Sequence, residues 1–450
     1  MTARAIAVDV QSQTISATCI AKDALDRAEA RNPSLNALTC LNPDLLADAA
    51  AVDARIAARE LLPLAGVPVV IKDNIWVRGM KITNGSRLFA DFIAPEDATA
   101  VTKLRDAGAV ILGIGACSEF ACKGVTNTPL HGITRHPDDP DLTPGGSSGG
   151  PAVAVAADIV PIAIGTDAGG SSRRPPAHVG IVGFKPGQDV IAYGPGFSEP
   201  VWGISALCPI AANINDVALV FSVLSRLQPV PAPANARFAY APDMGLGAAI
   251  DHDVAQACNA AVKVLSQDAQ ITHDAPVWDA KNHPSATMPL QFAGLAALYG
   301  AAWQAAPLTF DPDIGAQIKT GLELKGTDVA HALQASQSIR TTMRIFLGRY
   351  DFLITPTTPC AAWPSSQLGP REIGGEPASP RDHAAFTPQA NHAGLPAISI
   401  PCGFTQHNLP VGLQIIGHAG ADMALLAVAQ KFEATLQKAG LTKIHTKATS

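Results

Sequence analysis

The chain has 450 residues, of which 47% are hydrophobic, 5% aromatic and 16% charged, and its formal net charge is −6. Charged residues usually make up about 25% of a globular chain, so much of this one belongs in an Ala- and Val-rich core. The mild negative charge and the absence of a Lys/Arg run exclude a direct nucleic-acid footprint. The longest apolar stretch, around "PAVAVAADIVPIAIG", is broken by Asp158 and Pro161 and is too short to span a membrane.

The first twenty residues lack a basic start followed by an unbroken apolar core, so a cytoplasmic location is expected. The eight cysteines show no CxxC or CxxxC spacing, which argues for reduced thiols and against a zinc or disulfide framework. From Ala21 to Glu60, "AKDALDRAEARNPSLNALTCLNPDLLADAAAVDARIAARE" has helical spacing, with two helices expected and a break near Asn32-Pro33. "LAGVPVVIKDNI" reads as a buried strand ending at a polar turn. "TAVTKLRDAGAVILGIG" is a helix followed by a strand, and "GGPAVAVAADIVPIAIG" repeats that order, as expected of an α/β domain with a covered sheet. "DFLITPTTP" and "GLPAISIPCG" are late strands, and "ADMALLAVAQKFEATLQKAG" a terminal amphipathic helix. Two Pro-rich stretches, "QPVPAPANA" and "TPCAAWPSSQLGPREIGGEPASP", read either as linkers or as loops returning to the same sheet.

Between Thr143 and Ala177 two Gly-Gly-Ser-Ser clusters lie a short strand apart. Neither is followed by the lysine of a phosphate-binding P-loop. Gly145-Gly146-Ser147-Ser148-Gly149 matches the GxSxG nucleophile elbow formally. The Pro- and Asp-rich "RHPDDPDLTP" before it cannot supply the strand that an elbow requires. The second cluster is better placed, because Gly165-Thr166-Asp167-Ala168-Gly169-Gly170-Ser171 follows the apolar "IVPIAIG", at the end of a strand where ligands bind in α/β sheets. Its glycines can turn several N–H groups toward one point, as a tetrahedral oxyanion needs. A serine nucleophile also needs a base. Lys72 closes an apolar strand, where burial lowers an amine's pKa; the alternatives are a lysine reaching the surface or pairing with Asp73.

Lys72, "PGGSSGG" and "GTDAGGSSRRPPA", in that order, resemble the amidase signature family. The resemblance extends over most of the chain, through "VGIVGFKPG", "DFLITPTTP", "NHAGLPAISIPCGF" and "LPVGLQIIG". It implies a three-layer α/β/α fold with a large mixed central sheet, in one domain spanning 1–450. N-terminal helices would take up about 1–60, the signature core about 61–220, and further helices and late strands about 221–450. It further implies Ser171 as nucleophile, Ser147 as proton relay following a cis peptide, and Lys72 as general base. The serine separation, 171 − 147 = 24 positions, fits that pattern. Ala168, Gly169, Gly170 and Ser171 would supply oxyanion-hole amides, with Ser148, Thr166, Asp167 and Arg173 in support. No metal or organic cofactor is implied.

Pro176, His178, Leu142 and Ala212 depart from the family pattern without touching the three catalytic positions. Phe120, Tyr193, Phe197 and Trp202, in loops that match no general motif, are candidates for an acyl pocket; their other role is to pack those loops onto the core. His131, His136 and His392 have no metal-ligand spacing and read as structural. The first functional expectation is a stand-alone amidohydrolase acting on a small-molecule carboxamide or ureide. The alternatives are the glutaminase subunit of a transfer-RNA-dependent amidotransferase, which needs a partner protein, and a non-catalytic binding protein on the same fold. Neither a nucleic acid nor a membrane is an expected direct partner, and a homodimer is an option that the sequence leaves open.

Overall fold

Short apolar runs bounded by turns become strands, and strands from both ends of the chain pair into one sheet. The computed structural model describes residues 1–201, 203–279 and 284–442. The chain opens with α1 (Ala3–Gln11) and α2 (Ala17–Leu35), each under a hydroxyl cap: Thr2 accepts from the Ala5 N–H and Ser16 from that of Cys19. The break expected at Asn32-Pro33 is absent, because α2 runs through Pro33. Pro33 sits in the last turn, where the carbonyl it leaves without a helical partner belongs to exposed Glu29 and can be hydrated. Asn36 ends the helix instead. It takes the left-handed conformation, while the Asn32 side chain accepts from the N–H groups of Ala37 and Leu38, both at 2.8 Å. That turn leads into β1 (Leu38–Leu41), a short strand that the helical reading of this region missed, and then α3 (Leu45–Ala57).

The middle of the chain alternates as expected: β2 (Pro68–Lys72), α4 (Thr99–Asp106), β3 (Val110–Gly115), a small hairpin of β4 (Asn127–Thr128) and β5 (Gly132–Ile133), α5 (Gly149–Ala156), β6 (Ile162–Asp167), α6 (Arg174–Val179), β7 (Val182–Lys185), β8 (Ala206–Ala211) and α7 (Ile214–Ser225). Beyond it come β9 (Arg237–Tyr240), α8 (His252–Leu265), β10 (Gln270–His273) and the helices α9 (Met288–Ala305), α10 (Pro312–Glu323) and α11 (Gly326–Leu347). The chain closes with β11 (Phe352–Pro356), the ribbon β12 (Glu372–Ile373) and β13 (Glu376–Pro377), α12 (Pro388–His392), β14 (Ala397–Phe404), β15 (Pro410–Gly417) and α13 (Asp422–Lys438).

Among the described residues, eleven strands form the main sheet in the order β1-β3-β2-β6-β8-β7-β14-β15-β11-β9-β10. Parallel pairs (β2 with β3 and β6, β9 with β10 and β11) are joined by antiparallel ones, so the sheet is mixed, the middle layer of an α/β/α sandwich. Every residue of β2 and of β6 is buried, which explains why both read as unbroken apolar runs. The sheet also settles the Pro-rich stretches. Strands before and after each belong to the same sheet, so neither is a linker between separate units.

This register positions the site. β2 and β6 pair in parallel with Ile71 opposite Ile164, so Lys72 and the turn after Asp167 emerge at the same sheet edge. Helix α5 brings the first serine cluster to that edge by very close approach. A Cβ on Gly150 would lie 2.2 Å from the Ala116 nitrogen and 2.4 Å from the Ala37 oxygen, so no larger residue fits.

Candidate active site

Lys72, the last residue of β2, is fully buried, and its Nζ donates to Ser147 Oγ at 2.8 Å and to Thr166 Oγ1 at 2.8 Å. Ser147 lies in the loop before α5, and the Gly146-Ser147 peptide is cis. The anticipated competitor for Lys72 is occupied elsewhere. The Asp73 carboxylate accepts from the Thr83 and Gly85 N–H groups, at 2.7 and 3.2 Å, and from the Thr83 hydroxyl. Among the described residues Lys72 forms no ion pair, and burial pushes its amine below the ordinary lysine range, opposed in part by Cys117 and by the Glu199 and Asp167 carboxylates. A buried amine whose pKa is lowered, hydrogen-bonded to a serine hydroxyl, is a candidate proton acceptor.

The turn carrying Ser171 is fixed by a buried ion pair. Arg173 and Asp167 are both fully buried and meet in two parallel contacts, Nε to Oδ2 at 3.0 Å and Nη2 to Oδ1 at 2.9 Å. Arg173 also donates to Gln414 Oε1 and Asn391 Oδ1, both at 2.6 Å, which ties the turn to β15 and α12. Burial alone would raise the Asp167 pKa, but the Arg173 guanidinium, with Lys185 and the Gly170 N–H, holds it well below the usual carboxylate range. Its stabilising contribution is therefore complete above the ordinary carboxyl pKa of about 3.9 and is lost only as pH falls through the lower folded value. Asp167→Asn at neutral pH leaves a buried guanidinium without its counter-charge and is expected to cost about 3–5 kcal/mol in urea unfolding. A loss below about 1 kcal/mol would show the pair to be dispensable.

One expectation for this turn is corrected. The Gly170 N–H donates to Asp167 Oδ1 at 2.7 Å, so it is committed to the carboxylate and not offered to an oxyanion. Gly170 is needed for shape: its φ is +112°, and a Cβ there would lie 2.2 Å from Thr387 Oγ1. Among the described residues, the amides of Ala168, Gly169 and Ser171 donate to no other protein group. Ser148 and Ser172 both donate to the Thr166 carbonyl, at 3.3 and 3.0 Å, on the core side of the turn.

Ser147 and Ser171 open onto one cavity of about 400 Å³. Their hydroxyls make no hydrogen bond to each other, a contact that commonly tightens only in a substrate complex. Of the candidate pocket aromatics, Phe120 lines the cavity, stacked on Tyr299 with ring centroids 3.9 Å apart. It and Ala121 both have positive φ, 51° and 59°, an uncommon pairing for non-glycine residues on a cavity wall. Tyr193 and Phe197 do not line it. Phe197 joins an aromatic cluster with Trp76, Phe89 and Phe92, and Tyr193 stands behind the wall, its hydroxyl 3.2 Å from Ser205 Oγ. Trp202 lies outside the described residues.

Several lining groups escaped the sequence reading. Glu199 lines the cavity with Ser205, and burial raises its carboxyl pKa against hydrogen bonds from Tyr193 and Ser205. The Pro-rich stretch supplies Ile373 and Glu376 to the cavity lining, and Arg381 follows directly after it. Arg174 lines the same cavity from the first turn of α6, and its burial against Gly170 follows only from the tertiary fold. His131 and His136 are engaged with Thr83 Oγ1 at 2.8 Å and the His178 carbonyl at 2.9 Å, and His392 with Ser336 Oγ at 2.9 Å. No helix among the described residues is long and apolar enough to cross a membrane.

The sequence profile described as Amidase matches residues 20–426. The chain belongs to the amidase family. It is thus an enzyme of carbon–nitrogen bond hydrolysis. A glutamyl-tRNA(Gln) amidotransferase subunit of Deinococcus radiodurans is 35% identical to this amidase, with 96% of this chain and 97% of that protein covered. The protein of the same name from Thermus thermophilus is 32% identical, with 98% of each covered. Among solved structures, a bacterial aryl acylamidase of the amidase signature enzymes superposes with a TM-score of 0.87 at 25% identity, covering 97% of this chain and 96% of that one. A protein of a vestigial complex linked to the origins of an s-triazine catabolic enzyme superposes with a TM-score of 0.89 at 26% identity, over 99% of this chain and 100% of that one.

Proposed function

We propose that this amidase cleaves a linear carboxamide through an acyl-enzyme on Ser171. The observation that carries the reading is the 2.8 Å hydrogen bond between Lys72 and Ser147, made by a buried lysine that forms no carboxylate ion pair among the described residues, beside a cavity that also exposes Ser171. Ser171 Oγ attacks the carbonyl carbon while its proton passes to Ser147, whose own proton moves to Lys72 Nζ. The oxyanion so formed faces the amides of Ala168, Gly169 and Ser171. As the C–N bond breaks, the proton returns from Lys72 through Ser147 to the departing nitrogen. Water then attacks the ester by the same relay and frees the acid.

Within that chemistry, the relatives favour the glutaminase alternative over a stand-alone amidohydrolase. Proteins named as one subunit of a glutamyl-tRNA(Gln) amidotransferase match more than nine-tenths of this chain and of their own length. On this reading glutamine is the amide and a partner protein receives the ammonia. The stand-alone reading draws on the resemblance to the aryl acylamidase. Ammonia release by the purified chain, assayed on glutamine and on simple carboxamides, separates the two. Glutamine turnover that requires or markedly gains from a co-purifying protein supports the first, and efficient hydrolysis of simple carboxamides by the chain alone supports the second.

A further inference from the structure

The cavity wall that carries Phe120 is gripped from outside at both ends. Phe120, Ala121, Cys122 and Lys123 line the cavity, whereas Glu119, the residue before them, and Asp311 stand buried behind it. Glu119 Oε1 accepts from the Ser86 hydroxyl at 2.5 Å, and Oε2 accepts from the Asp311 N–H at 2.7 Å. Lys123 Nζ meets Asp311 Oδ2 at 2.5 Å, with side chains 5% and 4% exposed. Asp313 Oδ2, at 3.5 Å and on a side chain 40% exposed, is the weaker second partner of this lysine. Both ends of the segment therefore close on one residue. The other Asp311 oxygen, Oδ1, caps α10 by accepting from the Asp313 N–H at 2.9 Å.

The segment between these grips needs them. Phe120 and Ala121 are consecutive residues in the left-handed region, which a non-glycine side chain opposes and which persists only where the surroundings over-determine it. The Phe120 N–H donates to the Asn84 carbonyl at 2.8 Å. Its ring stacks on Tyr299 of α9 and lies 6.1 Å, centroid to centroid, from Phe310, the residue before Asp311. The Cys122 carbonyl accepts from Gln291 Nε2 of α9 at 3.3 Å and from Arg381 Nη2 at 3.1 Å. Gln291 itself lines the cavity, with Met288 and Leu290 from the first turn of the same helix. The clamp at Asp311 thus joins the loop that follows β3 to the helices that complete the cavity.

We propose that Asp311, acting through Glu119 and Lys123, is a positioning residue for substrate selection: it holds the Phe120–Cys122 loop in the shape against which the larger part of a substrate's acyl group packs. Asp311 touches neither the substrate nor a reacting atom. A small amide reaches the serines without this wall, and an amide with a bulky apolar acyl group depends on it. The inference rests on the proposed amide cleavage for its turnover test, and on the cavity alone for its binding test.

The test compares phenylacetamide with acetamide in wild type, Asp311→Asn and Lys123→Met/Asp311→Asn. Asp311→Asn is expected to lower kcat/KM for phenylacetamide by about 5- to 50-fold, mostly through KM, and for acetamide by less than about 3-fold. The double variant removes both charges, so that no lone ion stays buried, and should show the same split. In a Phe120→Ala background the effect of Asp311→Asn on the ratio of the two substrates should fall below about 2-fold, because the clamp acts through that loop. Equal losses on both substrates, or an effect undiminished in Phe120→Ala, overturns the proposal and leaves the amidase reading standing. Calorimetry of phenylacetamide binding to Ser171→Ala, with and without Lys123→Met/Asp311→Asn, reads the wall without turnover. Binding weakened at least about 5-fold by loss of the pair supports the clamp even if neither amide is cleaved. Unchanged binding, or none to either protein, overturns it.

Discussion

Ser171→Ala is expected to lower kcat/KM for amide hydrolysis by about 10⁴-fold or more, because the attacking oxygen is gone and only binding and oxyanion contacts remain. The substitution removes one hydroxyl from a cavity wall, and Ser171 is not part of the Asp167–Arg173 network, so the urea midpoint should stay close to that of wild type. Ser147→Ala keeps the nucleophile and breaks the route to Lys72, with an expected loss of about 10²- to 10⁴-fold. A Ser171→Ala enzyme that retains a tenth of wild-type activity would place the chemistry elsewhere.

Lys72→Met should cost about 10³-fold, the usual scale for losing a positioned proton acceptor, and should also change the shape of the pH profile. Only the neutral amine accepts a proton, so kcat/KM rises with pH and levels off once Lys72 is deprotonated. Burial lowers the Lys72 pKa from an ordinary value of 10.5, so this ascending limb falls at lower pH than that of an exposed lysine. In Lys72→Met the limb should vanish along with most of the rate. Assays across about pH 5 to 11 on both enzymes check this. The same limb persisting in the variant would assign it to another group, such as Glu199 on the cavity wall.

The sequence exposed those parts of the fold whose cause is local. β2, β3 and β6 were legible because strands buried on both faces must be apolar throughout, and Lys72 stood out as a charge closing one of them. β1 was not legible. Its four residues have no pattern of their own, and they are extended because they pair with β3, about 75 positions away. Pro33 misled for a related reason: a proline signals a helix end, but the end was set three residues later by the Asn32 side chain and Asn36.

The site divides in the same way. Lys72 and the two serine clusters stand out by residue type and spacing, so they could be singled out before any contact was known. The cavity wall could not be. Phe197 and Tyr193 are aromatic loop residues, and which apolar surface takes such a ring depends on where Phe89, Phe92 and Trp76 come to lie. Glu376 reaches the cavity from a Pro-rich stretch, and Arg381 from just beyond it, more than 200 residues past the serines, which sequence neighbours do not reveal. Even the glycine turn before Ser171 held a surprise, since whether an amide is free or already bonded, as at Gly170, is visible only once Asp167 is placed.

The most direct test is intact-mass labelling with a small fluorophosphonate, on wild type and on Ser171→Ala, Ser147→Ala and Lys72→Ala. A single adduct mapped to Ser171, absent from Ser171→Ala and formed more slowly in the other two, is the predicted result. An adduct that survives Ser171→Ala, or a wild type that takes no label, would contradict a nucleophile at Ser171 activated from Lys72 through Ser147.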